Sequence, residues 1–68
     1  MDDAAEDAIR AAFELGKPCN STTIPARATQ ILDDPTLGQD RVYASIKEMT
    51  ERKALEAPAD PWKDWQLL

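Results

Sequence analysis

The side chains able to do covalent or acid–base chemistry are few. The 68 residues contain no histidine and a single cysteine, Cys19. Imidazole-based triads, histidine general catalysis and histidine metal ligation are therefore excluded. One cysteine cannot close an internal disulfide or build a thiolate zinc site, and Cys19 has no base or basic cluster beside it to lower its pKa. Asp33 and Asp34 are adjacent carboxylates, but with no further oxygen donors near them in sequence and Pro35 following they read as turn chemistry rather than a cation site. Trp62 and Trp65 carry apolar surface with a polar handle; at least one is expected to cap a core, and spaced by three in a strand they point to opposite faces. The remaining polar groups that could recognise something cluster in one run, Gln39-Asp40-Arg41 with Ser45 and Lys47. They carry hydrogen-bond donors and acceptors and no nucleophile–base pair. No enzyme, metal or cofactor is expected; the site sought is a binding surface.

Charge constrains what that surface can bind. Thirteen acids against eight bases give a net charge of −5, the wrong sign for indiscriminate coating of nucleic acid. The distribution is uneven. Residues 1–16 hold five acids and Arg10, whereas residues 38–53 hold four bases and three acids. Hydrophobic residues at 43% and charged residues at 31% are the balance of a globular domain, and the length allows one domain, residues 1–68, with one small core. No apolar run approaches a membrane span, and the first residues are acidic where a signal peptide is basic. A soluble, cytoplasmic protein is the expectation.

Three helices must position the polar run. Asp2 to Leu15 predicts the first: Asp2, Asp3, Glu6 and Asp7 favour the positive end of its dipole, and Ala5, Ala8, Ile9, Ala12 and Phe13 form one apolar stripe. Gly16 marks its end and Pro18 prevents resumption, leaving Lys17 to Ser21 as a connector. The hydroxyls of Ser21, Thr22 and Thr23 offer caps for a short second helix over Ile24 to Leu32, with Pro25 in its first turn. Its apolar side is Ile24, Ala28, Ile31 and Leu32, with Arg27 and Gln30 outward. Asp33, Asp34 and Pro35 end it in a turn. The third helix, from Gly38 or Gln39 to Lys53, has Val42, Ile46 and Met49 as its buried stripe with Tyr43 and Thr50 at the edge. Steps of about 100° per residue place Asp40, Ala44, Lys47, Glu48 and Glu51 on the opposite face, flanked by Arg41, Ser45 and Arg52. Leu55 to Ala57 and Trp62 to Leu68 then predict two strands around a Pro58–Pro61 turn, a hairpin with a tryptophan and the final leucines over one side of the core.

This order resembles a winged helix-turn-helix domain of the kind found in bacterial and archaeal transcription regulators. The resemblance runs from about Ala5 to Leu68. It is carried by Gly16-Lys17-Pro18, the hydroxyl-capped Thr22 to Leu32, and Leu37 to Met49, which is similar to the family's recognition helix with its Val42-Tyr43 pair. Arg52-Lys53-Ala54-Leu55 stands where the wing begins, and Trp62 to Leu68 looks like its return strand. The resemblance implies an α+β fold, three helices followed by a two-stranded β wing, and double-stranded DNA as partner. It gives base-edge roles to Gln39, Arg41 and Ser45, with Asp40 and Ala44 also facing the groove, and phosphate roles to Thr22, Thr23, Lys47 and Lys63. Gln39 would pair with adenine and Arg41 with guanine. Departures are Lys53 in place of a frequent glycine, an acid in the short wing tip Ala59-Asp60-Pro61, and Asp40, Glu48 and Glu51 on the reading helix.

Residues 17–53, the helix-turn-helix unit, carry a net +1, so the acidity lies mainly on the first helix, expected to face away from the groove. Sequence-specific DNA binding, in transcriptional regulation or in plasmid or viral replication and partition, is the expected function, with a homodimer or a protein partner to supply affinity. The alternative is a winged-helix module that binds protein and not DNA. For Gln39, Arg41 and Lys47 the plain alternative is a solvated helix face. Neither membrane association nor a small-molecule substrate is expected.

Overall fold

The computed structural model describes residues 2–15, 20–60 and 63–68. The Gly16 stop, the Lys17–Cys19 part of the connector, Pro61 and Trp62 lie outside them. Three helices, α1 (Asp3–Glu14), α2 (Thr23–Leu32) and α3 (Gly38–Glu51), are followed by β1 (Leu55–Glu56) and β2 (Gln66–Leu67). The strands pair antiparallel, Leu55 opposite Leu67 and Glu56 opposite Gln66. This is an α+β fold, three helices and a two-stranded hairpin, in the arrangement of a winged helix. None of the described helices is long and apolar enough to cross a membrane.

Local chemistry explains the helix boundaries. Asp2 caps α1, its Oδ1 accepting from the Ala5 amide at 3.2 Å. The hydroxyl cap expected for α2 is replaced by Asn20. Its Oδ1 accepts from the amides of Thr22 and Thr23, and Thr23 Oγ1 accepts from the Asn20 amide. That is a capping box built one residue before the Ser-Thr-Thr run, satisfying donors that the first turn leaves open. Asp34 ties the turn that leads into α3: its Oδ1 accepts from the amides of Thr36 and Leu37, both at 3.0 Å, and its carbonyl accepts from Gly38. Pro35 sits in the turn between α2 and α3, where a missing amide costs nothing. Asp33 closes α2 in the left-handed region, φ 55°.

The other end of α3 resolves the question posed by Lys53. Its amide donates to Thr50 and that of Ala54 to Met49, the bond pair of a Schellman stop, with Lys53 itself at φ 61°. The turn into β1 thus keeps the shape glycine would give it, and the lysine Cβ bears the strain. Lys53→Gly is expected to stabilise the protein by about 1 kcal/mol, read as a raised midpoint in urea unfolding. An unchanged or lowered midpoint would show that the left-handed residue carries no strain.

The core joins all the elements: Ala8 and Ile9 from α1, Ile24 and Ala28 from α2, Val42 and Met49 from α3, and Leu55 from β1. Phe13, Leu32, Ile46, Ala54, Trp65 and Leu67 pack around it. Two expectations fail here. Ile31 is 43% exposed rather than buried, so the inner face of α2 is Ile24, Ala28 and Leu32. The strands are shorter than expected, because Lys63 donates its amide to the Asp60 carbonyl and turns there, delaying the return chain's entry to the ladder until Gln66.

Candidate functional site

The outer side of α3 presents Gln39, Asp40, Tyr43, Ala44 and Lys47 to solvent. Beside it two shallow clefts run together. One, of about 240 Å³, lies between α2 and α3 and is bordered by Thr22, Ala26, Thr29 and Gln39. The other, of about 210 Å³, is lined by Ser21, Ile24, Ile46 and Trp65. Pro25 and Tyr43 belong to both. The surface is therefore continuous, polar at the Thr22/Gln39 end and apolar at the Trp65 end. Of the residues expected from sequence, Thr22 and Gln39 are brought to one cleft, while Asp40, Ala44 and Lys47 lie exposed along α3. Lys63 is exposed near the hairpin with its Nζ 3.5 Å from Asp60.

Three expected residues stand differently. Ser45 is 2% exposed and packed against the core. The buried arc of α3 extends from Val42 and Met49 to Ser45, so the expected base-edge role is not open to it. Arg41 is held on the opposite flank of α3 from Gln39. Its Nε donates to Asp2 Oδ2 at 2.7 Å and its NH2 to Asp2 Oδ1 at 2.8 Å, a two-pronged pair. Its NH1 donates to Asp34 Oδ2 at 3.2 Å. The guanidinium thus links the cap of α1 to the turn before α3. Thr23 is half-buried, and its amide and that of Thr22 already donate to Asn20. The start of α2 consequently offers an outside ligand the Thr22 hydroxyl rather than those two amides.

Electrostatics follow from this network. Hydrogen bonds from Arg41 hold the Asp2 carboxyl down from its ordinary 3.8 to about 2. Asp34 is lowered chiefly by the amides of Leu37 and Thr36, with Arg41 contributing after them. Arg41 is raised in turn, first by Asp2, and stays charged. A second link between α1 and α3 joins Arg52 to Glu6, whose side chain is 8% exposed; Arg10 stands 4.0 Å from the same oxygen. The other oxygen, Glu6 Oε2, is buried with no hydrogen-bond partner among the described residues. Two of the four bases on residues 38–53 are thereby committed to α1.

Sequence reasoning missed Tyr43 as a surface residue. It is 50% exposed and central to both clefts, and its step of about 100° from Val42 was the available signal. Among the described residues no group of three or more acids, histidines or cysteines could hold a metal. No family model, curated protein or solved structure matches this chain.

Proposed function

We propose that the chain is a winged helix-turn-helix protein that binds duplex DNA through the outer face of α3, acting in transcriptional regulation or in plasmid or viral replication and partition. The observation that supports this most directly is that the start of α2 and the start of α3 border one cleft, with Thr22 across from Gln39. A helix-turn-helix needs that juxtaposition to set one element on phosphates while the other meets base edges. Gln39 supplies a two-bond partner for adenine, Asp40 an acceptor for cytosine's amino group, and Ala44 an apolar contact for a thymine methyl. Lys47 and Lys63 are the phosphate contacts. A module this small buries a modest interface, and a dimer or a larger assembly supplies the remaining affinity.

A second reading, a winged-helix module that binds a protein, is favoured by the apolar end of the surface, where Ile24, Ile46 and Trp65 line a groove. One titration separates the two. On adding a short duplex at low ionic strength, amide shifts are expected at Thr22, Gln39, Asp40, Tyr43, Ala44, Lys47 and Lys63. With two lysines facing phosphate, log K against log salt should fall with a slope near −2 per monomer. Lys47→Ala should weaken binding on all sequences alike and remove about one unit of that slope. No shifts at low salt, with the fold intact, would sink the DNA reading and leave the protein one.

A further inference from the structure

Arg41 stands at the start of α3, where a reading helix meets base edges, yet the face it should serve does not have it. Three of its N–H groups are spent on carboxylates, two of them on Asp2 in a fork-to-fork pair. That geometry is the one in which arginine grips a phosphate or the guanine edge. Asp2 therefore occupies the guanidinium in the way nucleic acid would. The guanidinium is not buried out of reach, since its side chain is 33% exposed. From its place on α3 it lies about 60° round the helix from Ala44 on the outer face, a distance its long side chain can span. Asp2 needs no charge to remain useful to α1, because asparagine caps a helix as well as aspartate does.

We propose that the Asp2 carboxylate is an internal competitor of DNA for Arg41, so that the arginine of the reading helix is withheld from the surface and joins it only when a phosphate or a base edge displaces Asp2. The inference rests on the DNA-binding reading above and adds its regulation. The first turn of α1, far from the clefts in sequence, then sets how many cations α3 can offer. It also accounts for how an acidic first helix, facing away from the groove, can govern binding without touching DNA.

The test is duplex titration across a salt series with four proteins: wild type, Asp2→Asn, Asp3→Asn, and the double variant Asp2→Asn with Arg41→Ala. Asp3 is an exposed acid of the same turn, so Asp3→Asn removes the same charge without touching Arg41. Asp2→Asn is expected to bind roughly tenfold tighter at low salt and to steepen the salt slope by about 0.9, one more phosphate neutralised. Asp3→Asn should match wild type, and the double variant should lose the gain. If wild type binds with a slope near −2 and Asp2→Asn is no tighter, the competition is overturned while the DNA reading stands. An equal gain in Asp3→Asn would also overturn it, reducing the effect to bulk charge. If neither wild type nor Asp2→Asn binds duplex at low salt with folded spectra, both proposals fall.

Discussion

Met49→Ala is expected to lower stability by about 2–5 kcal/mol. The Met49 side chain is completely buried, in one cluster with Ile9, Ile24, Val42 and Leu55, so truncation removes contacts to α1, α2 and β1 together. A chain of this length has on the order of 3–10 kcal/mol in total. The loss is therefore a large part of the whole, and the melting temperature should drop by roughly 10 °C or more. Met49→Leu, which keeps the volume, should cost less than about 1.5 kcal/mol. Urea unfolding of the three proteins checks this. An alanine variant within about 0.5 kcal/mol of wild type would mean that the α3–hairpin junction is not part of the cooperative core.

The second large effect is acid sensitivity. The Asp2 carboxyl is held at about 2 by the hydrogen bonds from Arg41, and Asp34 is lowered by its cap amides and by Arg41. A carboxyl depressed in the folded state contributes stability that is fully present above its unfolded value, and that contribution is lost as pH falls through the folded one. The protein should thus be insensitive to pH above the ordinary carboxylate range. Its melting temperature should decline between the ordinary 3.8 of Asp2 and its folded value of about 2. Asp2→Asn cannot titrate there, so its curve should be flatter across that interval and lower above it. Parallel curves for wild type and Asp2→Asn would show that the Arg41 link contributes nothing to folding.

Much of the architecture was legible because it is written in short-range pattern. The stripes of α1 and α3, the proline in the first turn of α2 and the acid-then-proline turn each rest on residues within one or two helical turns. What escaped was decided at longer range or by competition among neighbours. Ser21, Thr22 and Thr23 are all good caps, and nothing in their spacing says that Asn20 wins. Arg41 reads as a free polar residue because its principal partner, Asp2, is 39 positions away. Helical spacing puts Ser45 on a flank of α3, but α1 meets that side through Arg41 and Arg52 and the buried arc extends to Ser45. Lys53 is a departure from the frequent glycine, yet the backbone hydrogen bonds at the end of α3 hold it in the left-handed turn that glycine would adopt.

The two arginine links between α1 and α3 also bear on how the molecule opens. Arg41 closes a loop back to residue 2, and Arg52 closes a longer one back to residue 6. Helix ends ordinarily fray one at a time, each at little cost. Here the first turn of α1 and the first turn of α3 share a guanidinium, so neither can unwind without breaking the other's tether. Residue 2 is thereby drawn into the same opening unit as the start of α3.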